Sequence, residues 1–179
     1  MSPQRNKIKN LVKEVLVFFV ISFVIAKLIS AFIFQTALIP TSSMASTIMP
    51  GDRVLVAKFY YLLFTPKQGD IIVFHPPETS SSNGIDQIKR IIATEKMKVV
   101  EKDGVMFVDD DELKESYVRP DNSNAGYGPF VVPGGELFVM GDNRTNSKDS
   151  RLIGTVKEKE VIGKAFFTYW PINRAGILR

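Results

Sequence analysis

Two patterns of apolar residues divide the chain. From Val15 to Phe34 it reads VLVFFVISFVIAKLISAFIF, seventeen of twenty residues apolar, with Ser22, Lys27 and Ser30 the exceptions. Twenty helical residues span about 30 Å, the thickness of one hydrocarbon core. Neither glycine nor proline interrupts the run, and β-branched residues do not prevent a helix in lipid, where backbone bonds must close internally. The pattern predicts a single transmembrane helix over residues 15–36, after a short N-terminus of residues 1–14. Lys27 lies past the midpoint. A lysine at the bilayer centre costs roughly 2.5–3.5 kcal/mol, and snorkelling toward the outer surface lowers that cost.

Beyond residue 40 the pattern changes to short apolar runs separated by turn signals. RVLVAKF follows Pro50-Gly51-Asp52, and DIIVF follows Lys67-Gln68-Gly69. QIKRIIAT, KVVE, VMFVD, ELFVMGD and GKAFFTYW complete the series. Runs of this length, rich in Val, Ile and Phe, are the strand signature. No segment there carries a helical period of three turns. Asp103-Gly104 reads as a hairpin turn between KVVE and VMFVD. The expectation is a mainly β, antiparallel domain over residues 37–179, with a smaller excursion at about 97–132. Inside that excursion, residues 109–130 are polar and rich in proline and glycine. Residues 78–84 read as a surface loop.

Composition narrows the chemistry. The 179 residues contain no cysteine and one histidine, His75. A disulfide framework, a cysteine nucleophile, a thiolate or multi-histidine metal site and a Ser-His-Asp triad are therefore set aside. The net charge of +4 belongs to residues 1–36, with five basic side chains and one acidic, which leaves 18 of each sign in residues 37–179. A nucleic-acid footprint is not supported. The basic residues Arg5, Lys7, Lys9 and Lys13 ahead of the apolar run place the N-terminus in the cytoplasm and the β domain outside. A cleaved secretory signal is the alternative, but its apolar core is normally roughly 7–15 residues, and no clean small-residue cleavage site follows this one.

Three segments stand out for chemistry. Ile39-Pro40-Thr41-Ser42-Ser43-Met44 is a hydroxyl-rich stretch that, taken alone, reads as a polar linker. In Ile88-Lys89-Arg90-Ile91-Ile92, alternation puts Lys89 and Ile91 on one face and Ile88, Arg90 and Ile92 on the other. If Lys89 faces inward, burial lowers its pKa; if outward, it is an ordinary solvated lysine. Residues 140–151, MGDNRTNSKDSR, are dense in turn formers and read locally as a well-tied surface turn. Three other features carry open or bland readings. Residues 59–64 and 166–171 suit either a membrane-dipping surface or the core. His75 ends a strand. The acidic run Asp109–Glu112 lacks the spacing of a calcium loop.

Taken together, the three segments resemble the signature of bacterial type I signal peptidases, membrane-bound serine endopeptidases of the Ser-Lys dyad class. The family pattern sets Ser-Met after a transmembrane segment, then Pro-Thr-Leu and Gly-Asp; here Ser43-Met44, Ser46-Thr47-Ile48 and Gly51-Asp52 follow it. Ile88-Lys89-Arg90 matches the family's Ile-Lys-Arg box. Gly141-Asp142-Asn143-Arg144 through Asn146-Ser147-Lys148-Asp149-Ser150-Arg151 matches its Gly-Asp-Asn-Arg box. The departures are Ser46 where proline is usual, Thr145 for aspartate, Gln87 for tyrosine, and residues 93–97 in place of a Gly-Leu-Pro-Gly-Asp turn. None removes the serine or the lysine.

The resemblance implies a nucleophile, Ser43, with Lys89 as its general base, since a serine hydroxyl needs a base and Ser-Lys variants of the triad exist. It implies Thr41 and the Ser43 N–H as oxyanion donors, and Ser147 as the hydroxyl that aims the lysine amine. Asp149 and Arg151 match a structural ion pair, and Asp142 and Arg144 a bracing turn. Ile39, Pro40, Met44, Ile48 and Ile88 match residues that line shallow substrate pockets for small side chains. The implied partners are signal peptides of secreted preproteins and membrane lipid, with no nucleic acid, no metal and no cofactor. The competing expectations are a silent membrane-tethered β module and a soluble self-cleaving Ser-Lys repressor-type protease.

Overall fold

The computed structural model of the chain describes residues 3–76, 85–118 and 126–179, with the backbone alone at 3–8 and 29–32. The predicted loop at 78–84 and residues 119–125 of the polar stretch lie outside the described residues. The first element is the expected N-terminal helix, α1 (Pro3–Phe32). It starts earlier than the apolar run and stops before its end, because Phe34 already opens β1 (Phe34–Leu38), which pairs with β2 (Arg53–Ala57). The expected span over 15–36 is corrected here: among the described residues no helix is long and apolar enough to cross a membrane. The described side chains of α1 run from Asn10 and its neighbours to Leu28, and Lys13, Glu14 and Lys27 fall among them.

The remaining elements follow the predicted strand series. α2 (Tyr60–Leu63) is a single turn, and β3 (Ile71–Phe74) and β4 (Gln87–Ala93) come next. Then come β5 (Lys98–Lys102), β6 (Val105–Val108), β7 (Asp111–Glu112) and β8 (Tyr127–Val131). β9 (Glu136–Met140), the one-turn α3 (Ser150–Ile153), β10 (Val156–Lys157), β11 (Val161–Trp170) and β12 (Gly176–Ile177) complete the chain. Asp103 and Gly104 both have positive φ, +51° and +77°, between the paired residues Lys102 and Val105. That is the backbone of a primed hairpin turn, where glycine and aspartate are at home. The sequence pattern did not isolate the two-residue strands β7, β10 and β12, nor two longer ones, β1 and β8. One hides in the tail of the apolar run and the other in the polar stretch, at Tyr127-Gly128-Pro129-Phe130-Val131.

Among the described residues the larger antiparallel sheet runs in the order β1-β2-β11-β3-β4-β9-β10, with β12 against β11. The smaller runs β7-β6-β5-β8. In β3 the alternation of side chains is buried on both sides. Ile71 and Val73 enter a core with Ile39, Met44, Ile48, Val54, Val56, Ile88 and Ala165, while Ile72 and Phe74 enter another with Ile91, Leu137, Val139 and Val156. β4 is covered in the same way, buried from Ile88 to Ala93. The choice between an inward and an outward Lys89 therefore does not arise, since either face of β4 is interior. A third core joins the two sheets, with Ile92, Ala93, Phe138 and Met140 against Val99, Met106, Val108 and Val132. Phe138 sits at its centre, 5.3 Å from the Tyr127 ring and 5.9 Å from that of Phe130.

Truncating that ring removes contacts to both sheets at once. Phe138→Ala is expected to cost about 3–5 kcal/mol of stability, read by urea unfolding; a loss below about 1 kcal/mol would mean that the shared core contributes little.

Candidate active site

Four chain segments meet at Ser43. The stretch after β1 carries it, β4 brings Lys89, the segment after β9 brings residues 141–147, and α3 follows with its cap. Lys89 Nζ lies 2.8 Å from Ser43 Oγ and donates to the Ile88 carbonyl at 3.1 Å. Both side chains are buried, Ser43 8% and Lys89 4% exposed. Burial lowers the Lys89 ammonium from 10.5 to about 8, against the opposing pull of the Asp149 and Asp142 carboxylates. Loss of hydration disfavours the charged form, and the amine becomes a base near neutrality. A serine hydroxyl in hydrogen-bond reach of such an amine is a nucleophile with its proton acceptor in place. Thr41 Oγ1 lies 3.5 Å from Ser43 Oγ, at the same rim.

The backbone around Ser43 is held by the Gly-Asp-Asn-Arg segment. Asn143 N–H donates to the Ser43 carbonyl at 3.0 Å, and Asn143 Nδ2 to the Ser42 carbonyl at 3.0 Å. Asn146 Nδ2 donates to Ser42 Oγ at 2.8 Å. Asp142 accepts two bonds from Arg90, from Nε at 2.9 Å and Nη2 at 2.7 Å, and another from the Thr47 hydroxyl. Gly141 permits the approach. A Cβ there would stand 2.3 Å from both Ser147 Oγ and the Ser43 carbonyl oxygen, a contact no other residue accommodates. Asp149 caps α3, pairs with Arg151 at 2.9 Å and accepts from Gly141 N–H at 3.2 Å. Arg144 does not pair with Asp142; it binds Glu115 and the Gly141 carbonyl.

Of the residues singled out in the sequence, Ser43, Lys89, Thr41, Ser147, Ile39, Pro40 and Ile88 line one groove of about 890 Å³. Gln35–Leu38 of β1 and Gln87–Lys89 of β4 stand among its walls. Three strands separate β1 from β4 in the sheet order, so the sheet curls around the groove. Met44 and Ile48 are not in its wall. Both are fully buried in the core beneath, because the loop turns them inward against Val54 and Val56. Ser147 Oγ is buried without a hydrogen-bond partner, so the contact to Lys89 that the resemblance implied is not made. Ser46 stands at φ +97°, a conformation closed to proline, which accounts locally for its departure from the family pattern. His75 is exposed and lies 2.6 Å from Asp86 at the groove's edge. Sequence reading placed Gly141 and Asn146 in the matched box without giving either a role, and it missed Glu115 and Tyr117. Gly141 carried a faint signal, a glycine at a buried strand end, which often marks close backbone approach.

Known proteins similar to this chain include signal peptidases. The family described as "Signal peptidase, peptidase S26" matches residues 12–170. A probable signal peptidase I-1 of Synechocystis sp. is 39% identical over 173 residues, covering 93% of this chain and 87% of that protein. Signal peptidase I T of Bacillus subtilis is 34% identical over 164 residues, covering 86% and 83%. A solved signal peptidase I from Enterococcus faecalis superposes with a TM-score of 0.50 at 30% identity, over 56% of this chain and 97% of that one.

The buried amine carries a stability cost with a definite pH window. Below about pH 8 Lys89 is charged in the folded and unfolded chain alike, and the whole desolvation penalty is felt. Between 8 and 10.5 only the unfolded chain holds the proton, so this group's contribution to stability improves as pH rises. Lys89→Met is therefore expected to raise stability at neutral pH by roughly 1–3 kcal/mol. The gain should shrink toward pH 10 in denaturant titrations; a destabilised variant at neutral pH would contradict the buried charge.

Proposed function

The chain belongs to the signal peptidase family, peptidase S26, and from that premise we propose that it removes signal peptides from exported preproteins with a Ser43–Lys89 dyad at the membrane surface. It is a serine peptidase, a hydrolase. The observation that carries the dyad is the 2.8 Å approach of Lys89 Nζ to Ser43 Oγ in a buried setting. Neutral Lys89 takes the hydroxyl proton as Ser43 Oγ bonds to the scissile carbonyl carbon. The oxygen that gains charge is met by the Ser43 N–H and the Thr41 hydroxyl, donors worth about 2.7–4 kcal/mol each in comparable sites. Lys89 then returns the proton to the leaving amine. An acyl ester on Ser43 remains, which water hydrolyses with Lys89 again as base. Ser147 is the orienting hydroxyl in this reading. Its buried Oγ makes no hydrogen bond, and the neutral amine, with its lone pair toward Ser43 and one N–H on the Ile88 carbonyl, keeps a second N–H to offer it.

The substrate lies extended in the groove. Among the described residues β1 pairs only with β2, and β4 pairs with β9 only from Arg90 onward, so residues 35–38 and 87–89 each present a backbone edge without a strand partner. An extended peptide adds to such edges by main-chain hydrogen bonds. Ile39, Pro40 and Ile88 in the wall favour small apolar side chains and an Ala-x-Ala cleavage site.

Attachment to the bilayer through α1 is part of the same proposal. From Val15 to Ala26 the side chains of α1 are exposed and, Ser22 apart, apolar around the helix, among them Leu16, Phe18, Phe19 and Phe23, and such a stretch needs an apolar surround. Where α1 ends, Lys58 N–H bonds to the Ile33 carbonyl, and Phe34 packs on Phe59. The exposed Leu62, Leu63 and Phe64 therefore lie next to the helix exit, at the level an interface would take.

Detergent-solubilised protein is expected to cut an Ala-x-Ala preprotein after the second alanine, while Ser43→Ala cuts nothing. The rate should climb with pH and level off near pH 8, as Lys89 loses its proton. Folded wild type without cleavage would favour a silent binding module. Replacing Leu62 and Leu63 by glutamate should reduce cleavage of vesicle-embedded preprotein severalfold with detergent activity unchanged; equal activity in both settings would remove α2 from the membrane contact.

A further inference from the structure

Contacts made by one short segment to three parts of the site are unexplained by the dyad. Glu115–Tyr117 lies between β7 and β8, in the part of the chain that builds the smaller sheet. Each of its contacts goes to a different segment of the site. Glu115 Oε2 accepts from Arg144 Nη1 at 2.9 Å, and its Oε1 from Nη2, in a pair whose side chains are 10% and 4% exposed. The Tyr117 ring lies 3.8 Å from the Arg90 guanidinium carbon. The Tyr117 carbonyl accepts from Ser46 Oγ at 2.6 Å. Tyr117 OH donates to Glu115 Oε1 at 2.9 Å, which makes the segment one unit. A fourth tie from the same sheet, Arg151 to Glu101 of β5 at 3.8 Å, lies beside it.

These partners are the residues on which the dyad hangs. Arg90 is the neighbour of Lys89 in β4 and grips Asp142 with two bonds, and its Nη1 holds the Gly69 carbonyl at 2.9 Å. Asp142 is followed by Asn143, whose N–H holds the Ser43 carbonyl. Ser46 lies three residues beyond Ser43, in a left-handed conformation that few serines adopt unaided. The Tyr117 ring covers the guanidinium face and keeps water from the Arg90–Asp142 pair. A charge pair kept dry is stronger and stiffer than a wet one.

We propose that Glu115–Tyr117 is a strap that positions the dyad: it clamps the serine loop, the lysine strand and the segment at 141–147 in one register, with Tyr117 acting through Arg90 and Asp142. The residues the strap binds, Arg144, Arg90 and Ser46, are not among those that line the groove, so its effect falls on the placement of Ser43 and Lys89 and not on substrate affinity. The proposal rests on the dyad reading and extends it to a second sheet.

Wild-type cleavage of an Ala-x-Ala preprotein tests the dyad reading first; its absence overturns that reading and the strap with it. Given that activity, Tyr117→Ala is expected to lower kcat about 10- to 100-fold with KM within about twofold. Tyr117→Phe keeps the ring over Arg90 and restores kcat to within about threefold. The Lys89 amine, followed by NMR titration of the protein without substrate, should titrate at higher pH in Tyr117→Ala as water enters. Should Tyr117→Ala fail to fold, Tyr117→Leu, which keeps bulk without the aromatic face, takes its place. Three results overturn the strap with the dyad intact: unchanged kcat in the folded variant, a rise in KM alone, or an equal loss in Tyr117→Phe.

Discussion

Everything around Ser43 answers to one constraint, that an amine must stay buried beside a hydroxyl with no carboxylate of its own. Lys89 has Ser43 and a backbone carbonyl as hydrogen-bond partners. Two carboxylates stand close enough to pull its proton affinity upward, Asp142 and Asp149. Each is taken by an arginine, Asp142 by Arg90 and Asp149 by Arg151. Arginine suits that duty because its charge cannot be titrated away and its fork matches a carboxylate. The site is thus a lysine kept dry within a shell of satisfied ion pairs. Burying Arg90 and Asp142 at 1% exposure each is costly, and two bonds between them with a third to the Gly69 carbonyl offset that cost.

The second consequence concerns backbone edges. An exposed strand edge is a hazard that folds normally cover. Here two such edges, residues 35–38 and 87–89, face one groove, and the curl of the larger sheet brings them together. The unpaired edges, the apolar wall and the dyad at its end form one surface suited to an extended chain. The smaller sheet lies behind this surface and is joined to it by the core around Phe138 and by polar ties to Arg90, Arg144 and Arg151.

Much of this was legible along the chain. The strand series after residue 40 and the Asp103-Gly104 turn follow from period and turn chemistry, which act over a few residues. β1 was not legible, because Phe34 closes the apolar run, residues 34–36 fall within the expected span, and only the pairing with β2 ends the helix. β8 was hidden for the opposite reason. Its Gly128 and Pro129 are turn formers, and its strand character comes from lying against β5. In the site, Ser43, Lys89 and the residues from Asp142 to Arg151 could be named from spacing and resemblance. Met44 and Ile48 could not be sorted from Ile39 and Ile88, since all four are apolar and only packing decides which face the groove.

By itself, then, the sequence determined the N-terminal helix and the main strand series, the candidate serine and lysine, and the concentration of positive charge ahead of the apolar run. Each of these is a property of neighbours in the chain. The tertiary structure alone decided that Lys89 is dry, that Arg90 holds Asp142 and Arg144 holds Glu115, and that Gly141 must lack a side chain. Proton affinity depends on the solvent and charges a group meets in space, and those are supplied here by residues 40 to 100 positions away along the chain.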